Sequence, residues 1–486
     1  MKAMELITIA NVKLYFGDRL ILDIPNLKIH KGDRIGIVGA NGSGKSTLLN
    51  LLSGSVQCDA GVIHVNGTIA YCRQFFKNTP YVADTVKQKK NGMKFGVIDS
   101  ENHSGGEKQR VQLSEIFSNN ADIYFLDEPT SNLDYKGILL LKDELAKRNT
   151  FLLVSHDRAL LNECCNKIIE ISDATLILYE GNYAAYEYQK KLHADRKAFE
   201  YNQYIKEKKR LQTEYIEKSA KAKKIAKKPK DRGQRIGKEC GTKSFSSKAK
   251  NMEKSAKAAL KKIEMLEQKE KPKEDPAIKI DFRLTNPPKN KYVIQIDNLC
   301  YGYDSKILFD HLNLSIRNGE KVAILGDNGA GKTTLLNLIV NGHPSIRTVP
   351  GAVFGYVGQH YEQLDLSKTV LENAMHDAVQ NTQTVRTILA RLLFDERSLN
   401  RKANVLSGGE RVRLSMAKLL VSNANMLILD EPTNYLDLNS RKAVEKVLQD
   451  YMGTILFVSH DITFVDAIAS RRLLLSGQKI QDYEEK

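Results

Sequence analysis

Four short motifs occur twice in this 486-residue chain, in the same order each time. Gly39-Ala-Asn-Gly-Ser-Gly-Lys45-Ser46 matches Gly326-Asp-Asn-Gly-Ala-Gly-Lys332-Thr333. Ser104-Gly-Gly-Glu107 matches Ser407-Gly-Gly-Glu410, and Leu126-Asp-Glu-Pro-Thr130 matches Leu429-Asp-Glu-Pro-Thr433. Val154-Ser-His-Asp157 matches Val458-Ser-His-Asp461. So long a repeat is not a solenoid unit; it is a domain present in two copies. The copies fall at 1–189 and 291–486, with 190–290 between them, after the turn signal Asn286-Pro-Pro-Lys289. Short apolar runs such as Asp33–Gly39, Asp122–Asp127 and Thr150–Ser155 lie at the motifs and read as buried strands. Helical stretches follow them, so each copy is expected to be α/β with a mainly parallel sheet.

The first motif is a phosphate loop. Its glycines, Gly39, Gly42 and Gly44 in one copy and Gly326, Gly329 and Gly331 in the other, let backbone N–H groups turn toward anionic oxygens. Asn41 and Asn328 sit at the same place in each loop. Lys45 and Lys332 are placed to reach the β- and γ-phosphates, and Ser46 and Thr333 to hold Mg²⁺, with Thr47 and Thr334 next in the helix. Asp127 and Asp430 end apolar strands, where a carboxylate is costly unless it serves a cation such as Mg²⁺. Glu128 and Glu431 follow directly, suited to orient or deprotonate an attacking water. A surface ion pair is the bland alternative for these acids.

With the Ser-Gly-Gly-Glu loops, both repeats resemble the ATP-binding cassette (ABC) ATPases. That resemblance implies ATP hydrolysis by two cassettes closed head to tail within one monomeric chain. Ser104, Gly105 and Gly106 would cap ATP held by Lys332, and Ser407, Gly408 and Gly409 would cap ATP held by Lys45. Gln74 and Gln359 resemble the glutamines that contact Mg²⁺ and water, and His156 and His460 the switch histidines that read the γ-phosphate. Phe16 and Tyr303 resemble the aromatics that stack on adenine; core aromatics are the rival reading.

The middle segment carries the chain's entire charge surplus. Residues 190–280 hold 29 Lys and Arg against 13 Asp and Glu, while the remainder holds 45 of each sign. Unmixed positive charge points to a polyanion such as nucleic acid, with a solvated linker as the alternative. Met252, Ala256, Ala259, Ile263 and Leu266 repeat at coiled-coil spacing, and Tyr201, Tyr204, Lys208, Leu211 and Tyr215 form a weaker matching stripe. A helix over roughly 190–220 is therefore expected to pair with one around 252–266. Between them the tip contains Lys227, Lys228, Lys230, Arg232, Arg235 and Lys238, with Pro229 and Gly233 breaking helix. RNA contact and disordered spacer are the two readings of that tip.

No apolar run approaches the ~18 residues of a membrane span, and the N-terminal stretch lacks the apolar core of a signal peptide. The six cysteines contain no C-x-x-C pair and read as reduced, buried thiols. A cytoplasmic protein without a membrane partner is expected.

Two cassettes, no membrane span and a charged helical linker together resemble the ABC-F class. The implied fold is α/β, two tandem ABC-type P-loop nucleotide-binding domains joined by a basic antiparallel helical hairpin. The resemblance implies action at the E site of a bacterial-type 70S ribosome, with 23S rRNA and the P-site tRNA as partners and ATP and Mg²⁺ as cofactors. Gln74 to Ser104 spans 30 positions against 48 from Gln359 to Ser407, leaving no room for an inserted arm in the first copy. The sequence also ends at Lys486, soon after the second copy. A compact first copy with an extended linker tip looks more like the antibiotic-resistance branch, which protects ribosomes from drugs, than like housekeeping translation factors. Pleuromutilins, lincosamides and streptogramin A compounds are the first expectation, macrolides the second. The other readings are a housekeeping factor of the same class and, from another class, the ATPase module of a transporter. Two departures from the class stand out: Asn102-His103 precedes Ser104 where Leu is usual, and the box after each catalytic glutamate reads Ser-Asn132-Leu-Asp134 and Asn-Tyr435-Leu-Asp437, without its usual histidine.

Overall fold

The structure is a computed structural model. It describes residues 4–73, 105–131, 133–226, 240–266, 269, 281–303, 306–358 and 363–483. Contacts divide the chain into two compact units, Met1–Tyr186 with Pro276–Lys486, and Glu187–Asp275.

The first unit contains both repeats. In the first repeat nine strands form one sheet, in the order Ala60–Val65, Glu5–Phe16, Arg19–His30, Thr175–Glu180, Lys167–Ser172, Arg34–Gly39, Phe151–Val154, Ile123–Asp127, Ile69–Cys72. The five strands from Lys167–Ser172 onward run parallel. Their buried runs of Val, Ile, Leu and Phe suit a sheet covered on both faces. The second repeat has the same parallel order: Phe354–Val357, Met426–Asp430, Thr454–Val458, Lys321–Leu325, Arg471–Ser476, then Lys479–Asp482 antiparallel. Its outer strands, Lys306–Arg317, Tyr292–Tyr303 and Ile346–Thr348, form a separate antiparallel sheet. Chain order reverses between the strand that feeds the phosphate loop and its neighbour. That places a ligand crevice at the carboxyl ends of the strands, where Gly39, Asp127 and Val154 end theirs.

In the second unit, one helix runs 44 residues, Tyr183–Ala226, about 66 Å at ~1.5 Å per residue. It starts earlier and ends later than expected: Tyr183 and Tyr186 are buried in the first cassette's core, which anchors its start there. The second helix is Cys240–Met265. Leu211, Ala256 and Ala259 are buried and Met252 and Ile263 half-buried, so the expected stripes are the faces that pack. Lys218 Nζ donates to Ser255 Oγ at 2.8 Å and Lys269 Nζ lies 3.9 Å from Glu200, an antiparallel pairing. The helical unit ends at Asp275, before the 290 expected from the turn signal. The reason is that Phe282 packs edge-on against Tyr451, 5.4 Å between ring centres, and Thr285 O accepts from Asn425 Nδ2, tying this stretch to the second cassette. Among the described residues no helix is long and apolar enough to cross a membrane. Cys72, Cys164 and Cys165 are buried as expected; Cys300 is exposed on the outer sheet, contrary to the expectation.

Candidate functional site

Each phosphate loop joins a buried strand to a helix whose first residue is the lysine. Gly39 and Gly326 have φ of 157° and 151°. A Cβ there would stand 2.6 Å from Ile171 O and 2.5 Å from Leu475 O, so only glycine lets the loop lie on the neighbouring strand. Gly44 and Gly331 cap the helices in the left-handed region, turning the first N–H groups inward. Ser46 and Thr47, like Thr333 and Thr334, lie in the first turn. Lys45 Nζ donates to Gly39 O and Ala40 O, both at 3.0 Å; Lys332 Nζ donates to Gly326 O and Asp327 O at 2.8 and 3.0 Å. Both lysines are 8% exposed, and burial lowers their pKa.

Asp127 and Asp430 are 2% exposed at their strand ends. Burial raises both carboxyls, opposed by the Ser46 and Thr333 hydroxyls. Yet one oxygen of Asp127 and both of Asp430 meet no angularly sound hydrogen-bond partner. Orphaned buried carboxylate oxygens beside a hydroxyl form a donor set that fits a hard divalent cation.

Glu128 and Glu431 share an unusual backbone, φ 50° and 51°, left-handed without being glycine. Such strain persists where the surroundings impose it, commonly at functional sites. His156 Nε2 lies 3.2 Å from Glu128 Oε1 and His460 Nε2 3.3 Å from Glu431 Oε1, at angles that close no hydrogen bond. Burial pushes Glu128 up to about 7 and Glu431 up to about 8. Burial also holds both imidazoles neutral, His460 down to about 4 and His156 well below its usual value. A carboxyl with pKa near 7 beside a neutral imidazole is poised to take and pass a proton at neutral pH.

The two cassettes face each other in this unit. Asn41 N donates to Asp437 Oδ2 and Asn41 Nδ2 to Tyr435 O, both at 3.0 Å. A Cβ on Gly409 would lie 2.6 Å from Tyr435 O and 3.8 Å from Asn41 Nδ2. Thus the first phosphate loop lies against the second cassette's Ser407-Gly408-Gly409 loop. Ser407 and Glu410 close a reciprocal capping box that fixes the start of the helix Gly408–Val421. In the other half Gly105 and Gly106 start the helix Gly105–Ser118, and Lys136 reaches Asp327 at 2.7 Å across the cassettes. Phe16 and Tyr303 are each 55% exposed at hairpin ends, so neither fills a core. Ser104, Gln74, Gln359 and the tip residues Lys227, Lys228, Lys230, Arg232, Arg235 and Lys238 lie outside the described residues. The contact of Asp437 with the first phosphate loop was missed from the sequence, although the Leu-Asp that ends each box signalled it.

The ABC transporter family profile matches residues 22–131 and 309–434. The chain is 32% identical over 486 residues to the ribosome protection protein VmlR of Bacillus subtilis strain 168, spanning 98% of this chain and 88% of that one. It is 34% identical over 485 residues to the erythromycin resistance ATP-binding protein MsrA of Staphylococcus epidermidis, spanning 95% and 96%. The chain belongs to the ABC-F family. Its fold also matches the solved RNase-L Inhibitor, with a TM-score of 0.65 at 19% identity over 97% of this chain and 89% of that one. As an ABC-F protein with two cassettes it binds ATP and is an ATPase.

Proposed function

We propose that this chain is a cytoplasmic ribosomal protection factor that acts at the E site of a bacterial-type 70S ribosome. The observation that carries this reading is the charge surplus of 16, confined to residues 190–280, which include most of a 44-residue helix. A polyanion partner is the natural counterpart of such a lever, and the names of VmlR and MsrA support ribosomes and drugs as its setting.

In this account Lys45 and Lys332, with the loop N–H groups, receive the ATP phosphates. Ser46, Asp127 and Gln74, and Thr333, Asp430 and Gln359, would hold Mg²⁺, which would neutralise phosphate charge. Phe16 and Tyr303 stack on adenine. The Ser407 loop closes the Lys45 site and the Ser104 loop the Lys332 site. Glu128 and Glu431 accept the proton of the attacking water, while His156 and His460 read the γ-phosphate. ATP favours the closed sandwich because it binds that state more tightly than the open one. The closed form seats on 23S rRNA, and the linker tip acts on the P-site tRNA and the drug pocket. Pleuromutilins, lincosamides and streptogramin A compounds are the first candidates, macrolides the second.

The test uses the Glu128→Gln, Glu431→Gln chain, sedimented with purified 70S ribosomes with and without ATP at two salt concentrations. ATP-dependent co-pelleting that weakens with salt is expected. Absence of co-pelleting at low salt removes the ribosome from the account. A drug-susceptibility panel on expressing cells then separates protection from a housekeeping role in translation.

A further inference from the structure

One guanidinium at the cassette interface touches both switch loops. Arg441 lies in the first turn of the helix Leu438–Asp450, just past the Asp437 that meets the first phosphate loop. Its Nη1 donates to His156 O of the first cassette at 2.9 Å and to Asp461 Oδ2 of the second at 2.7 Å. Its Nε donates to Leu436 O at 3.1 Å, in the segment whose Tyr435 and Asp437 accept from Asn41. The Arg441 side chain is 15% exposed and that of Asp461 6%, so solvent screens this pair little. Asp461 is itself anchored. Its Oδ1 accepts from Phe464 N at 3.1 Å and from Thr463 Oγ1 at 2.6 Å, capping the helix Ile462–Ile468. His156 faces Glu128 in one site, and Asp461 directly follows His460, which faces Glu431 in the other.

The bridge exists on one side of the repeat. Aligned on the shared box, the position of Arg441 is Ile138 in the first cassette, 9% exposed and packed in that cassette's core. The repeat therefore brings Asp157 and Asp461, the ends of the same motif, to the same interface, where the Arg441 charge acts on both. Burial raises the Asp157 carboxyl, the Asp461 charge adds to this, and the Arg441 charge opposes it. Asp157 itself caps the helix Arg158–Cys164 through Leu160 N at 2.9 Å.

We propose that Arg441 is a positioning residue that couples the two ATP sites. It holds the backbone of one switch histidine and the carboxylate beside the other on one rigid planar group, so a shift of either loop moves its counterpart. The proposal rests on the assignment of the ATP sites given above. Coupling of this kind is reciprocal: occupancy of the Lys45 site changes affinity at the Lys332 site by the same factor as the reverse.

Binding isotherms for a non-hydrolysable ATP analogue with Mg²⁺ test it in the full-length chain. The Lys45→Ala and Lys332→Ala chains give each site's affinity alone. The departure of the intact chain from the product of those two constants is the coupling factor. A factor of at least ~5 is expected with Arg441 in place, the lower end of ordinary site-to-site coupling. In the Arg441→Ile chain, and in the same chain with either lysine removed, the factor is expected to fall below about 2 on that scale. Asp461→Asn keeps an acceptor for the helix cap but removes the charge that holds Arg441, and is expected to lower the factor likewise. This second variant keeps the test decisive if Arg441→Ile fails to fold. A merely structural role would weaken both affinities together and leave the factor intact. An unchanged factor in both variants overturns the proposal, as does a factor of one in the parent chain. Undiminished analogue binding by the Lys45→Ala, Lys332→Ala chain would overturn the site assignment itself, and the coupling with it.

Discussion

The two cassettes share strand order, phosphate loops, strained glutamates and switch histidines, yet their interface faces differ in charge. Arg158 of the first cassette pairs with Glu445 of the second, one bond at 3.1 Å, with side chains 14% and 9% exposed. The aligned residues on the other side are Ile462 and Lys142, which cannot form that pair. The counterpart of Arg441 is Ile138. The cross-cassette pair between Lys136 and Asp327 is solvent-exposed, 71% and 48%. The two copies thus keep the same motif residues, while the contacts that join them differ.

The largest test of this contrast is turnover. Glu128→Gln and Glu431→Gln each remove a proton acceptor and are expected to slow hydrolysis by on the order of 100-fold or more at their own site. Glu128→Gln is expected to cost more of the total, because its site lies against the boxed Ser407 loop, while the other signature loop carries Asn102-His103 in place of the usual residues. Steady-state ATPase assays of both variants check this, and equal losses would break the contrast. Next is the buried pair. Arg158→Ala leaves Glu445 enclosed beside Asp461 and is expected to cost about 3 kcal/mol in denaturant unfolding. Replacing both partners, Arg158→Ile with Glu445→Leu, is expected to cost less than that single change.

A smaller effect lies in pH. Burial holds Glu431 up to about 8, so the folded protein keeps a proton that the unfolded chain releases from about 4.5 upward. Stability therefore falls as pH rises through that window. Without nucleotide, Glu431→Gln is expected to melt at least ~2 °C above the parent at pH 8, with the gap shrinking toward pH 5. Glu128, pushed up to about 7, is expected to show the smaller gain when replaced by Gln. At the bottom of the scale, Lys136→Ala should leave the melting temperature unchanged, because an exposed pair gains little over two hydrated ions. A measurable loss there would mean that the two interface faces are more alike than their burial indicates.

Much of the architecture was legible before folding. The doubled phosphate loop located two cassettes, because a backbone nest for phosphate demands glycines at fixed spacing and a lysine behind them. The apolar stripes of the linker named the faces that pack, since Leu211, Ala256 and Ala259 are the buried ones. Helix bounds were less legible. The long helix starts at Tyr183 because two tyrosines dock in a core formed by residues distant in sequence. The stretch 282–285 joins the second cassette through Tyr451 and Asn425, which no local pattern announces. The exposure of Cys300 follows from its outer strand facing solvent, a property of sheet placement rather than of the thiol.

Residue types and their spacing alone set the motifs of this protein: where the glycine loops lie, which acids end buried strands, and where the positive charge is gathered. Local backbone geometry sets those features, so they survive in any fold that honours the motifs. Tertiary structure decided how the halves communicate. Asn41 meets Tyr435 and Asp437, and Arg441 meets His156, only when two cassettes dock, across hundreds of intervening residues. Enclosure at the strand ends takes Glu128 and Glu431 out of water and pushes their carboxyls up. An arginine that is unremarkable in sequence becomes a bridge because enclosure strips its solvent and leaves it acceptors in both domains.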